Sequence, residues 1–138
     1  MNRMTVVYHM ALARPDGMVV ASRVGEARRG GAVVSGTTQR IALTPDEARR
    51  MAKAMRDTHG RFLKEDGGDT VEVWCEEYEA YQIIWISKDG TEVSEHINCC
   101  ESDGDGWSWE FAQALDEAAC EAEEGERRIW PPFGSTYK

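Results

Sequence analysis

The stretch Tyr81-Gln82-Ile83-Ile84-Trp85-Ile86-Ser87-Lys88-Asp89-Gly90-Thr91-Glu92-Val93-Ser94-Glu95-His96-Ile97-Asn98 decides the fold. Two runs rich in β-branched and aromatic residues flank Asp89-Gly90, a dipeptide that tolerates the two positive φ angles of a two-residue hairpin loop. In that register Ile86 opposes Val93 and Gln82 opposes Ile97. Tyr81, Ile83 and Trp85 then share the other side with Ser94 and His96, so both sides are partly apolar. A hairpin this tight makes the sheet antiparallel at its centre.

Upstream, Val71, Val73 and Cys75 alternate with Glu72, Trp74 and Glu76, which predicts a further strand, with Glu77 to Ala80 as the turn into Tyr81. Thr5 to Ala13 and Met18 to Val24 are joined by Arg14-Pro15-Asp16-Gly17, in which proline presets the turn and glycine accepts positive φ. The basic glycine segment Gly25 to Gly31 reads as a loop, and Ala32 to Leu43 as a strand bent or bulged at Ser35-Gly36. Thr44-Pro45-Asp46-Glu47 has the order of a helix N-cap, a proline at the first helical position and a capping-box glutamate. Ala48, Met51, Ala52, Met55 and Phe62 keep helical spacing on one side, with Arg49, Lys53 and Arg56 outside; Gly60 is a possible early stop.

Downstream, Asp105-Gly106 opens a second helix from Trp107 to about Glu124, burying Trp107, Phe111, Ala114, Leu115, Ala118 and Ala122. Residues 127–138 read as an extended aromatic tail containing Trp130-Pro131-Pro132-Phe133. The predicted order is βββαβββα: an α+β fold with an antiparallel sheet of about six strands and two helices, in a single domain spanning 1–138. A chain of 138 residues can bury an ordinary core without staples.

Charge is strongly segregated. Residues 65–126 hold 20 of the 25 carboxylates and one base, Lys88, whereas residues 1–64 hold 12 bases against 5 acids. Like charges gathered in this way repel, so they point to a cationic partner or an internal basic counterpart. The net charge of −9 opposes direct binding to nucleic acid or to an anionic membrane. No secretion signal or membrane-spanning run is evident, which predicts a cytoplasmic protein with reduced cysteines.

On the second helix Glu110, Glu117, Glu121 and Glu124 recur at offsets of 7, 4 and 3 and share one side over roughly 21 Å, with Asp116 and Glu123 beside them. Acids from Glu121 to Glu126 would crowd the negative end of the helix dipole. Arg127, Arg128 or the basic side of the first helix could neutralise the stripe. If they do not, it forms a docking surface for a basic protein of the nucleic-acid machinery. Trp109 lies about 200° from Trp107 and is the candidate apolar anchor. The expected partner-binding set is therefore Trp109, Glu110, Asp116, Glu117, Glu121 and Glu124. In physical character this resembles non-enzymatic inhibitors of the phage anti-defence or toxin-neutralising type, in which protein carboxylates act as a nucleic-acid mimic.

Two alternatives come from other features. Glu101-Ser102-Asp103-Gly104-Asp105-Gly106 has the alternating oxygen ligands and sixth-position glycine of a calcium loop, giving Glu101, Asp103, Asp105 and Glu110 as candidate ligands of a calcium or small-ligand module. Position twelve, however, is Ala112, and a turn capped by Asp105 explains the same residues. The other alternative is a structural, self-associating protein, a homodimer held by charge or by the Tyr81, Ile83 and Trp85 surface. His96, Cys99, Cys75 and Cys120 lack the paired spacing of a zinc site, and His9 and His59 read as a strand-surface and a helix-end residue. No nucleophile or phosphate-loop pattern singles out a catalytic group, so no enzymatic activity is expected and no cofactor other than calcium comes into question.

Overall fold

A computed structural model describes residues 7–57, 59–74, 81–97 and 107–129. Its elements are β1 (Tyr8–Ala13), β2 (Val19–Arg29), β3 (Ala32–Leu43), α1 (Pro45–Arg56), β4 (Arg61–Asp66), β5 (Asp69–Trp74), β6 (Tyr81–Ile86), β7 (Thr91–Ile97) and α2 (Trp107–Ile129). The fold is α+β, a curled antiparallel sheet with two helices. Strand order is β1-β2-β7-β6-β5-β4, with β3 also paired to β2.

Strand β2 organises the sheet because it is long enough to serve three neighbours. One edge pairs with β3 along its length, while the other pairs with β1 over Val19–Val24 and with β7 at Arg28 and Arg29. Opposite Glu26, β3 carries the two residues Ser35 and Gly36, and Gly36 has φ +67°, so the bulge falls where the sequence placed it. The Pro15-Asp16-Gly17 turn also forms, with the Gly17 amide donating to the Arg14 carbonyl at 3.0 Å.

The capping box at Thr44 sets α1. Thr44 Oγ1 accepts from the Glu47 amide at 3.1 Å, and Glu47 Oε1 accepts from the Thr44 amide at 2.8 Å. Both Glu47 oxygens also receive Lys64 Nζ at 2.9 Å, which ties β4 to the start of the helix. Partial burial would raise the Glu47 carboxyl, but the Thr44 amide and Lys64 outweigh it and hold it below the ordinary value of 4.5.

Three local expectations are corrected. The first helix ends at Arg56, and Phe62 belongs to β4, where it is buried from a strand. Strand β4 turns into β5 through Gly67-Gly68, both at positive φ, the requirement of a two-residue hairpin. The presumed loop from Gly25 is mostly strand, and only Gly30-Gly31 turn, at φ +59° and +85°.

The third correction concerns the hairpin register. The loop between β6 and β7 has three residues, Lys88-Asp89-Gly90: the Ser87 amide donates to the Thr91 carbonyl at 2.8 Å, and the Gly90 amide donates to the Ser87 carbonyl at 2.9 Å. Trp85 therefore faces Val93, Ile83 faces Glu95 and Ile86 faces Glu92. A one-residue slip exchanges every cross-strand partner. Ile83, Trp85 and Val93 now lie together on the buried face, leaving no exposed Ile83/Trp85 surface for self-association.

That inner face is a single apolar layer running from Val19 and Ala21 through Ile41 and Leu43 to Val71, Val73, Ile83 and Trp85. Both helices cover it, side by side, with α2 over β1 and α1 over β4 and β5. Ala48 and Ala52 of α1 and Ala112, Ala118, Ala119 and Ala122 of α2 are fully buried. Such short side chains let helix axes approach closely.

Candidate functional site

At 3.6 residues per turn the side chains of α2 sort into three sectors. Phe111, Ala112, Leu115, Ala118, Ala119 and Ala122 are buried, so the inward stripe is centred on them, and Ala114 is only half-buried. Glu110, Gln113, Glu117, Glu121 and Glu124 are all exposed on the opposite side. Gln113 Nε2 donates to Glu117 within this row at 3.2 Å. Between the two sectors lies a flank made of Trp109, Asp116 and Glu123.

The flank belongs to the contact with α1. Arg56 Nη1 donates to Asp116 at 2.6 Å, and Arg49 donates to both oxygens of Glu123 at 3.0 and 2.6 Å. Arg49 also reaches the exposed Cys120 sulfur at 3.8 Å. The Glu123 and Cys120 contacts push the Arg49 guanidinium further above its already high range. Trp109 is half-buried, with the Arg56 guanidinium 5.9 Å from its ring centre. Asp116 and Trp109 thus serve the helix–helix seam, and the basic side of α1 neutralises the flank. Glu110, Glu117, Glu121 and Glu124 remain the outward set.

The helix also runs further than expected, continuing through Gly125 to Ile129. Glu121 to Glu124 therefore stand one turn or more before the end of the helix. The dipole penalty expected of those acids is correspondingly smaller. Residues 127–129, read as the start of an extended tail, are helical, and the rest of that tail lies outside the described residues. So do Glu101, Asp103 and Asp105 of the calcium turn; Glu110, the fourth candidate ligand, sits on the exposed side of α2. Among the described residues no three acidic, histidine or cysteine side chains converge on a metal-sized site.

A second cluster, which the sequence reading missed, lies beneath α2 on the inner face of the sheet. Glu95 of β7 receives His9 Nε2 of β1 at 2.9 and 3.1 Å, Arg23 Nε of β2 at 2.8 Å and Trp85 Nε1 of β6 at 3.2 Å. The three charged or titratable side chains are deeply buried, with exposures of 12% for Glu95, 7% for His9 and 5% for Arg23. Phe111 of α2 closes the cluster, its ring 5.3 Å from His9 and 6.2 Å from Trp85. Burial would raise the Glu95 carboxyl, but the bonds and charges of His9 and then Arg23 outweigh it and hold the group below its ordinary range. His9, expected on the strand surface, points inward because its odd-numbered neighbours Ala11 and Ala13 share the inner face.

Arg23 also donates to Gln39 at 3.3 Å, while its Nη2 carries no hydrogen bond among the described residues. That end of the guanidinium lies against Gly25, where an added Cβ would come within 3.3 Å of Nη2 and 3.0 Å of Val7. A cleft of about 550 Å³ opens here, where β1 and β7 part along the edge of β2. Both oxygens of Glu95 are occupied by donors, so the cluster fixes the approach of four strands rather than offering a free base. The signal for it was the interruption of the small, inward series Val19, Ala21, Gly25, Ala27 by Arg23. Its acidic partner could be found only with the hairpin register in hand.

No protein-family model, curated protein or solved structure matches the chain. No described helix is long and apolar enough to cross a membrane.

Proposed function

We propose that the protein is a non-enzymatic binding protein that sets the outward face of α2 against a basic, nucleic-acid-handling protein and blocks it, in the manner of phage anti-defence or toxin-neutralising inhibitors. One observation carries this reading: Glu110, Glu117, Glu121 and Glu124 stand exposed on the side of α2 opposite its buried stripe, while Arg49 and Arg56 of α1 pair with Glu123 and Asp116 on the flank. The four carboxylates span about 21 Å, one charge per roughly 7 Å between successive groups. That density is lower than a nucleic-acid strand, at about one charge per 3.4 Å. The row therefore suits a groove holding a few phosphates rather than a long duplex tract. Charge on such a face speeds and orients encounter more than it sets final affinity.

Affinity capture from host lysate at low salt tests this reading. Wild-type protein is expected to retain a basic partner that salt releases. Replacing Glu117, Glu121 and Glu124 by lysine should reduce capture at least about tenfold with circular dichroism unchanged, because the side chains are exposed. Lysine at the equally exposed Glu65 and Asp66 should leave capture intact. Equal retention by all three proteins removes α2 from the mechanism.

A further inference from the structure

We infer that the polar cleft between β3 and the tip of the β6–β7 hairpin is a binding site for a small phosphomonoester, held by Arg29, Arg40 and Lys88. The cleft has a volume of about 320 Å³, at the small end of the range for ligand pockets. None of its residues belongs to α2, so the site is separate from the partner-binding face proposed above. Carboxylates outnumber bases in this chain by 25 to 16, so a base left without one is informative. Most described bases pair with a carboxylate, Arg28 donates to the Gly31 carbonyl, and Arg61 lies over the Trp74 ring at 5.7 Å. Of the arginine and lysine side chains described, only those of Arg40 and Lys88 make no hydrogen bond, ion pair or ring contact, and both line this cleft.

The cations are also held in place. Lys88 is the single base in residues 65–126, and its root is fixed from two sides. Its amide donates to Asp69 Oδ1 at 2.9 Å, and a Cβ built at Gly68 would stand 2.8 Å from the Lys88 Cβ, so the β4–β5 turn lies directly against it. Arg29 Nε donates to the hydroxyl of the buried Thr91 at 2.9 Å and its Nη2 to Asp89 at 3.0 Å, which leaves Nη1 without a bond. The aspartates of the cleft are occupied by these same contacts: Asp89 Oδ1 accepts the Thr91 amide at 3.0 Å, and Asp69 receives the Lys88 amide rather than its ammonium. Three cations against two acids leave this cleft with a charge of +1. The larger cleft beside Arg23 has the opposite sign, with two arginines against three glutamates.

The donors define the ligand. One arginine can satisfy a carboxylate through two parallel bonds, whereas guanidinium and ammonium groups arriving from β2, β3 and the hairpin suit an oxyanion with oxygens in several directions. A phosphomonoester has that shape and carries nearly two negative charges at neutral pH. The cleft has room for its ester carbons beside the phosphate. Side chains anchored before the ligand arrives lose less freedom on binding it.

Calorimetric titration of the full chain at constant ionic strength tests the inference, with ribose 5-phosphate and inorganic phosphate as probes and ribose as the uncharged control. Ribose 5-phosphate should bind saturably, inorganic phosphate more weakly, and ribose not at all. Arg40→Gln with Lys88→Gln should weaken the ester at least about tenfold, the loss expected on removing charged hydrogen bonds. Circular dichroism should not change, because both side chains are exposed and bond to nothing in the fold. Arg28→Gln removes an equally exposed charge outside this cleft and should leave the affinity as it was. Amide resonances of Thr38, Arg40 and Lys88 should shift most during the titration. No saturable binding of ribose 5-phosphate, an unchanged affinity in the double variant, or an equal loss in Arg28→Gln would each overturn the proposal. Binding of inorganic phosphate without the ester would overturn the assignment to a phosphomonoester.

Discussion

Replacing Glu95 by alanine is expected to destabilise the protein by about 3–5 kcal/mol, the range for removing one partner from a buried ion pair. In a chain of this size that lowers Tm by roughly 10–20 °C. The substitution strands the Arg23 guanidinium, 5% exposed, with only a 3.3 Å bond to Gln39, and it removes the acceptor that the Trp85 indole and His9 Nε2 share. The penalty comes from the uncompensated donors rather than from the lost carboxylate itself. Adding Arg23→Met to the Glu95→Ala protein should therefore recover part of the loss, a strongly non-additive double-mutant cycle. Chemical denaturation of the four proteins checks this. A Glu95→Ala cost below about 1 kcal/mol would mean that the site is solvated and holds the strands only weakly.

The same carboxyl gives a pH signature. Its folded pKa is depressed below the ordinary 4.5, so its stabilisation is complete above that value and is lost as pH falls through the lower, folded value. The stability gap between wild type and Glu95→Gln should shrink as pH falls below about 4.5, where the carboxylate takes up a proton. A gap that stays unchanged as pH is taken well below about 4.5 would contradict the assignment.

Gly60→Ala is the second large effect. A Cβ at Gly60 would stand 2.3 Å from the Ala54 carbonyl oxygen and 2.8 Å from the Ala54 Cα, contacts with backbone that no rotamer change relieves. The chain reverses here within a few residues. Asp57 caps α1 through Lys53, His59 takes φ +65°, and the Gly60 amide returns to the Asp57 carbonyl at 3.0 Å before β4 begins. The variant must push β4 away from α1, opposing the Lys64–Glu47 tie, and should cost at least the ~1–3 kcal/mol of core overpacking. Gly125→Ala is the matched control: nothing lies within 4 Å of its Cβ, and the site is inside a helix, so it should gain up to about 1 kcal/mol. Thermal melts of the two should move in opposite directions; a Gly60→Ala protein as stable as wild type would show that the turn is not as tight as described.

Those two positions show where sequence reading succeeded and where it stopped. The cap at Thr44, the Pro15-Asp16-Gly17 turn and the Ser35-Gly36 bulge were legible because each rests on chemistry within four residues. Gly60 was legible as a possible stop, but not as the start of a strand: Phe62 sits seven residues after Met55, so it fits a helical stripe as well as a strand face. The β6–β7 register failed for a similar reason, since Asp89-Gly90 serves a two-residue loop or the end of a three-residue one. That single slip hid Glu95 and with it the buried cluster. On α2 the exposed row of glutamates was legible from spacing alone. The removal of Asp116 and Trp109 to the seam with α1 was not, because it depends on Arg56 sixty residues away.

The most direct test of the proposed role measures the captured partner's affinity for its own nucleic acid by fluorescence anisotropy at low salt. Saturating wild-type protein is expected to weaken that affinity at least about tenfold, and a protein with glutamine at Glu110, Glu117, Glu121 and Glu124 to leave it unchanged. Undiminished nucleic-acid binding in the presence of wild type, or equal inhibition by the glutamine variant, would contradict it.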